Sequence, residues 1–131
     1  MTVLLDTNIC IGFLNGRDAR LRDKLLARSP TDVTLCSVVK AELLYGARHS
    51  EHVDANIRRL GEFFAPFESL PFDDAAAGWY GAIRAQLKKE GRIIGSNDLM
   101  IAAIALAADV TLVTRNEGEF QRVPGLRFEV W

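Results

Sequence analysis

The sequence has few cysteines, no long apolar run and almost no net charge. Its 131 residues include two cysteines, Cys10 and Cys36, which are too few for a disulfide scaffold, and it has no CxxC motif or Cys/His cluster that indicates zinc. The richest apolar stretch, residues 99–108, is too short to cross a bilayer. The opening MTVLLDTNIC lacks the basic region typical of a signal peptide. We therefore expect a reduced, cytoplasmic protein without a membrane anchor.

Charge and composition limit the class of protein further. Sixteen Lys and Arg residues against seventeen Asp and Glu give a formal net charge of -1. This balance excludes a strongly basic nucleic-acid coat, although not a protein that contacts nucleic acid through a few local cations. The chain is 49% hydrophobic and 25% charged, close to the globular average. This length and composition predict one folded domain over residues 1–131.

Short apolar runs alternate with amphipathic stretches along the chain. The runs predict strands at Val3–Leu5, Val33–Cys36, Val110–Val113 and Phe128–Val130, with a weaker candidate at Glu68–Leu70. The amphipathic stretches predict helices over Asp18–Arg28, Ser37–Ala47, Asp54–Phe64, Ala75–Glu90 and Leu99–Ala108. Strands separated by helices imply parallel crossovers. The predicted fold is therefore α/β, a three-layer α/β/α sandwich around a central, mainly parallel sheet.

Two of the predicted helices carry capping signals. Asp73 is suited to the N-cap of the fourth helix, in which Trp79, Ile83 and Leu87 are spaced to share one apolar face. Ser96 is suited to the N-cap of the fifth helix.

Two carboxylates stand out from their surroundings. Asp6 directly follows the first strand, where functional groups gather in a parallel sheet, and it would equally suit the cap of a helix that starts near Asn8. Glu42 has Val39 and Tyr45 at helical spacing, and an acid that was merely buried there would be costly. An ion pair with an Arg or a solvent-facing stripe would also explain Glu42, but a functional carboxylate is favoured.

Further polar side chains follow near the end of the chain. Asp98 falls in the first turn of the most apolar helix, where the helix dipole also favours an acid. Because Ser96 and Asn97 could both cap that helix, Asp98 is not needed for capping. The loop after the fourth strand adds Asn116 and Glu119, although a solvated loop would show the same residues.

A parallel sheet would bring these side chains to one edge. Carboxylates that face one another repel and are pushed towards protonation, a cost that a divalent cation removes. Oxygen ligands without His or Cys suit Mg²⁺ or Mn²⁺, which can activate water and neutralise the charge of a phosphodiester. No GxxxxGK[ST] or GxGxxG motif is present, and His49 and His52 lie in a polar stretch that favours a solvated helix end over a general base.

Four motifs resemble those of the PIN-domain ribonucleases, and more narrowly those of the VapC toxins of VapBC toxin–antitoxin pairs. They are LDTN near the start, SVVKAELLYGA, GSNDLMIAA and LVTRNEGEF. Together they span essentially the whole chain in the order of that family. The resemblance implies an α/β/α sandwich and a Mg²⁺-dependent endoribonuclease that a small cognate antitoxin of the VapB type inhibits.

The resemblance also implies roles for particular residues. Asp6 and Asp98 match the principal metal ligands, and Glu42 matches the second acid. Many members carry Asp where this chain has Asn116, so either Asn116 or Glu119 fills the fourth position.

Neighbouring positions complete the predicted site. Thr7 and Asn8 match positions that support the first acid, and Ser96 and Asn97 precede Asp98 in the third motif. We expect these four residues to support the acids rather than to react.

Two longer stretches resemble VapC toxins that cut initiator tRNA in the anticodon stem-loop. They are RAQLKKEGRIIGSND and EFQRVPGLRFEVW. Within the first stretch, Arg84, Lys88 and Arg92 recur every four residues, as a phosphate-contacting rim or as a solvated helix face. The helices over residues 37–64 carry more apolar side chains than one contact face needs, which predicts a homodimer unless all of them belong to the core. The resemblance implies that such a dimer belongs to a larger toxin–antitoxin assembly.

Two other functions would use the same residues. One is a catalytically silent PIN-like module that acts only by binding protein or RNA, against which the intact acids argue. The other is a phosphatase or a structure-specific DNA nuclease, against which the absence of any added substrate domain argues mildly.

Overall fold

A computed structural model describes residues 1–131 and contains one five-stranded sheet. The strands are β1 (Val3–Leu5), β2 (Val33–Cys36), β3 (Glu68–Leu70), β4 (Thr111–Thr114) and β5 (Phe128–Val130). Their order is β3-β2-β1-β4-β5, and every neighbouring pair is parallel. The predicted parallel α/β architecture is confirmed, with a sheet that is parallel throughout rather than mainly so.

Seven α-helices connect and cover the strands. They are α1 (Thr7–Asn15), α2 (Ala19–Leu26), α3 (Ser37–Arg48), α4 (Val53–Phe64), α5 (Asp74–Lys89), α6 (Ser96–Ala108) and α7 (Glu117–Phe120), with a short 3₁₀ turn at Pro30–Asp32. No helix is both long enough and apolar enough to cross a membrane.

Burial explains the sequence pattern of the strands. Every residue of β1, β2 and β4 is buried, which is why these strands are continuous apolar runs. The edge strands β3 and β5 are partly exposed and more polar. The buried side chains form one cluster that joins the strands to α3, α5 and α6.

The strand order determines where a site can form. The chain moves outward from β1 through β2 to β3, and then returns to the other side of β1 with β4 and β5. Strand order therefore reverses between β1 and β4, and crevices at the carboxyl ends of such strands are the usual binding sites of open α/β sheets. Asp6 follows β1 and Asn116 follows β4, so both lie at this point.

Three details of the predicted helices are wrong. α6 begins at Ser96 itself with Gly95 at the N-cap, so Ser96 does not cap the helix. Trp79 is 44% exposed and is not part of the buried face of α5, which Ala76, Ile83 and Leu87 form. The short helix α7 was not predicted. By contrast, Asp73 caps α5 as predicted and accepts a hydrogen bond from the Ala76 N–H.

The predicted apolar surplus on α3 and α4 is smaller than expected. Leu43, Leu60 and Phe63 are buried in the core. Leu44 and Tyr45 are the large apolar side chains that remain exposed on α3, Tyr45 at 70%.

Candidate active site

Asp6 is fixed where β1 passes into α1. The residue is only 4% exposed, and its backbone N–H donates to the Val113 carbonyl at 2.9 Å. Its Oδ1 accepts from the Thr7 N–H at 2.7 Å, and its Oδ2 accepts from the Thr114 hydroxyl at 2.7 Å. Asp6 is therefore both the cap of α1 and a member of the acidic group, so the two roles weighed for it do not exclude each other.

Burial raises the pKa of the Asp6 carboxyl. The two hydrogen bonds from Thr114 and Thr7 oppose this rise, whereas the charges of Glu42 and Glu119 add to it. The three acids therefore share one electrostatic environment although they lie on three different elements.

Glu42 is half-buried on α3 and faces α1. Its Oε1 accepts a hydrogen bond from the Thr7 hydroxyl at 2.9 Å. Both salt bridges of the protein lie elsewhere, at Asp18 and Asp109, so no ion pair explains the position of Glu42. Thr7 thus joins the first acid to the second, through its backbone N–H and its hydroxyl.

Asn116 joins the other two acids. Its Nδ2 donates to Asp98 Oδ2 at 3.1 Å and to Glu119 Oε2 at 3.0 Å. Its backbone N–H donates to the Thr114 hydroxyl oxygen at 2.9 Å, which fixes the start of the loop. Asn116 and Glu119 are therefore neighbours in the same group.

The pKa values of Asp98 and Glu119 are shifted in opposite directions. Burial, the hydrogen bond with Glu119 and the charges of neighbouring acids raise the pKa of Asp98 to about 7. The same hydrogen bond lowers the pKa of Glu119 below its usual value. Asp98 is therefore only partly ionised near neutral pH, whereas Glu119 is ionised.

The predicted supporting residues divide into two groups. Thr7 contacts both acids, as described. Asn97 lines a cavity of about 570 Å³ between α3 and α6, which Glu42 also lines. Asn8 and Ser96 are exposed, and neither side chain shares in the hydrogen bonds that join the acids.

Thr114 is the site residue that sequence reasoning missed. It is fully buried, donates to Asp6 and accepts from Asn116. A hydroxyl at the last position of β4, at the carboxyl end of the sheet where the acids gather, was the available signal. The predicted basic rim is exposed on α5 and in the turn that follows it, at Arg84, Lys88 and Arg92.

The donor set fits a hard divalent cation in its chemistry. No three His, Cys, Asp or Glu side chains converge closely enough in this structure to form a complete metal cage. Burial, with a smaller contribution from the neighbouring acids, raises the pKa values of Asp6 and Asp98, and neither forms a salt bridge. Carboxylate and amide oxygens are the ligands that Mg²⁺ and Mn²⁺ prefer, with water filling the remaining positions.

Comparison with known proteins agrees with this site. The PIN domain family matches residues 3–126. Ribonuclease VapC2 of Rickettsia felis is 40% identical over 100% of this chain and 98% of its own length. The tRNA(fMet)-specific endonuclease VapC of Shigella flexneri is 38% identical over 98% of this chain and 96% of its own length.

A solved structure extends the agreement to three dimensions. The structure of VapBC2 from Rickettsia felis bound to a DNA fragment from its promoter superposes with a TM-score of 0.93 at 37% identity, over 100% of this chain and 99% of that chain. The fold and the acidic site thus define a PIN-type nuclease. The chain belongs to the PIN-domain family and, within it, to the VapC ribonucleases. Ribonucleases of this kind generally depend on a divalent metal ion.

Proposed function

We propose that this protein is the toxin of a type II toxin–antitoxin pair and hydrolyses RNA with Mg²⁺. The whole chain acts as one domain, and its substrate is the anticodon stem-loop of a tRNA. The observation that carries the proposal is the acidic group at the β1–β4 crevice, in which Asp6, Glu42 and Asp98 form no salt bridge with a basic side chain. The identity to a tRNA(fMet)-specific endonuclease supports the choice of substrate.

Asp6, Asp98 and Glu42 would hold the ion, Mg²⁺ in the first place and Mn²⁺ as the second candidate. A bound divalent ion would lower the pKa of water and neutralise charge on the phosphodiester. Thr114 and the Thr7 N–H orient Asp6, while the Thr7 hydroxyl orients Glu42. These contacts fix the carboxylates before RNA binds.

Glu119 and Asn116 would act on the water nucleophile. Glu119 has a lowered pKa, so it is ionised and can accept a proton from an attacking water. Asn116 holds the Glu119 and Asp98 carboxylates in one orientation. Water would attack phosphorus directly while the bond from phosphorus to the leaving ribose oxygen breaks, so no covalent protein intermediate forms.

A groove beside the acids would receive the antitoxin. Ile11 and Leu14 of α1 face Leu43 of α3 and Leu60 of α4 across a cavity of about 310 Å³, which Glu42 also lines. An antitoxin segment of the VapB type with apolar side chains would fill this groove and direct a basic side chain at the acids. Similar VapC proteins are seen in VapBC complexes, which supports this partner.

The exposed α3 surface supports a homodimer within a larger toxin–antitoxin assembly. Leu44 and Tyr45 are the exposed apolar side chains of this surface. The intact acids Asp6, Glu42 and Asp98 argue against the alternative of a catalytically silent PIN-like module.

Sequencing the RNA ends that appear after induced expression tests the proposed function. We expect new ends at one position of a tRNA anticodon stem-loop, and purified protein should make the same cut with Mg²⁺. EDTA and the cognate antitoxin should each abolish it. Tight RNA binding with no new ends under any of these conditions would support the silent module instead.

A further inference from the structure

A small closed-ended pocket lies at the same end of α6 as Asp98, outside the acidic group. It has a volume of about 200 Å³. Its floor is formed by the buried side chains Leu87, Ile94 and Leu99, and its walls by Tyr80 and Ile93. We call it the Tyr80 pocket. None of the roles described above uses it.

The walls of the Tyr80 pocket are prearranged. The Arg84 guanidinium donates to the Tyr80 hydroxyl at 2.9 Å and lies 5.9 Å from the centre of the Tyr80 ring. Phe72 packs edge-on against the same ring, with 5.9 Å between centroids. Arg122 donates to the Ile93 carbonyl at 3.2 Å, which holds the Ile93 backbone in place, while the Ile93 side chain stays 53% exposed.

The one charged side chain in the lining of the Tyr80 pocket is positive. Arg84 lines the pocket, Lys88 follows one turn later on α5, and no acidic side chain is part of the lining. An apolar slot with an aromatic wall and a cationic rim has the chemistry that takes a flat ring attached to a phosphate backbone. Single-stranded RNA loops are recognised in this way, by bases that leave the stack and rest on aromatic or guanidinium planes.

The position relative to the acids agrees with this occupant. Ser96 lines the pocket on a different face of α6 from Asp98, and the backbone N–H of Gly95, directly before Ser96, donates to the Glu119 carboxylate. A nucleotide close to the phosphate at the acids can therefore reach the pocket.

We propose that the Tyr80 pocket binds one unstacked nucleobase of the RNA substrate, next to the phosphate that is cut. The inference rests on the proposed ribonuclease function and adds a specificity subsite to it. Tyr80 and Ile93 hold the two faces of the base, and Arg84 contacts its phosphate.

Abasic nucleotides test the pocket directly. The probe is a tRNA anticodon stem-loop in which each loop nucleotide in turn is made abasic, cleaved under single-turnover conditions. With the wild-type protein, one abasic position near the cut should raise the apparent Kd about tenfold. Tyr80→Leu should raise the Kd for the intact RNA by a similar factor, and the same abasic position should then add nothing, because both changes remove one contact.

Control variants separate this result from a general loss of structure. Trp79→Leu removes an exposed aromatic ring from the same helix outside the pocket and should leave the Kd and the abasic profile unchanged. Tyr80→Phe keeps the ring and should stay close to wild type. Ile93→Ser changes the opposite wall and should reproduce the Tyr80→Leu result, and it decides the test if Tyr80→Leu does not fold.

Three outcomes would overturn the inference. Additive effects of the abasic positions with Tyr80→Leu and Ile93→Ser would mean that no base occupies the pocket. Weakened antitoxin binding with unchanged RNA cleavage would assign the pocket to a protein partner. A wild-type protein that cleaves no stem-loop would remove the proposed function and this inference with it, and that result is distinct because it appears before any variant is compared.

Discussion

Thr114 shows how a single buried hydroxyl organises the acidic group. It donates to Asp6 and accepts from the Asn116 N–H, so it links the residue after β1 to the loop after β4. The Asn116 side-chain amide in turn donates hydrogen bonds to Asp98 and Glu119. The Asn116 amide donates to two carboxylates at once, which reduces the repulsion between them.

Replacing Thr114 by Val should impair Mg²⁺-dependent cleavage more strongly than it lowers the free energy of unfolding. The change keeps the shape of the side chain but frees Asp6 Oδ2 and leaves the Asn116 N–H without its partner. We expect a stability loss of about 1–3 kcal/mol. The Mg²⁺ concentration for half-maximal RNA cleavage should rise about 10- to 100-fold, as for other residues that orient metal ligands.

Thr34→Val is the matched control for this change. Thr34 is buried in β2, and its hydroxyl donates to the Val3 carbonyl at 2.9 Å, away from the acids. It should cost a similar amount of stability in chemical denaturation and leave the Mg²⁺ requirement unchanged. Equal Mg²⁺ requirements for both variants would contradict the role given to Thr114.

At the scale of elements, α5 and the turn after it carry the predicted RNA-contacting cations. Arg84, Lys88 and Arg92 are all exposed there. The triple change to Gln should raise the Kd for RNA and reduce the slope of log Kd against log salt by about 2, because fewer counterions are released on binding. The single-turnover rate at saturating RNA and the position of the cut should stay the same.

An equal loss of charge elsewhere controls for net charge. Arg17, Arg20 and Arg22 are exposed at and before α2, and their triple change to Gln should leave the salt slope near that of the wild type. If both triple variants have the same slope of log Kd against log salt, the α5 cations form a solvated face and RNA binds elsewhere.

The end of α6 predicts a stabilising substitution. Asp109 is its C-cap residue and has a left-handed backbone with φ 54°, which costs an L-residue more than glycine. An acid at a helix C-terminus is also unfavourable, and its exposed ion pair with Arg127 contributes little. Asp109→Gly should therefore stabilise the protein by about 0.5–1 kcal/mol in denaturant titrations. A loss of stability would show that the Arg127 contact is the larger effect.

At the scale of the whole molecule, the sequence predicted the positions of strands and helices better than it predicted which side chains contact one another. All five strands and the longer helices followed from apolar runs and periodicity. The four-residue α7 is too short to show a period, and Ser96 is suited equally to a cap and to a first helical turn. The pairing of Thr7 with Glu42, and of Asn116 with Asp98, depends on how distant elements pack, which no local pattern determines.

The acidic group should make stability depend on pH. In the native protein the pKa of Asp98 is raised to about 7, and the pKa of Asp6 is also raised. The native protein therefore binds more protons than the unfolded chain between about pH 4 and pH 7. Stability in EDTA should therefore fall as the pH rises through this range. Glu119 has a lowered pKa, so its contribution has the opposite sign but is lost only below about pH 4.5.

Thermal unfolding between about pH 5 and pH 8 measures this dependence. Added Mg²⁺ should raise the melting temperature most at the upper end, because the ion binds the deprotonated acids. Asp98→Asn should flatten the pH dependence in EDTA. A wild-type melting temperature that rises steadily with pH in EDTA would contradict the repulsion described for the site.

The central claim is that the acids at the β1–β4 crevice form a metal-dependent ribonuclease site. Single-turnover cleavage of a tRNA across a Mg²⁺ titration tests it, with wild type, Asp98→Asn and Glu117→Gln compared side by side. Glu117 is an exposed acid of α7, so its change removes the same charge outside the acidic group. We predict Mg²⁺-dependent cleavage by wild type and Glu117→Gln. A folded Asp98→Asn should cleave at least about a hundredfold more slowly. Cleavage by Asp98→Asn at the wild-type rate, or wild-type cleavage that persists in EDTA, would contradict the claim.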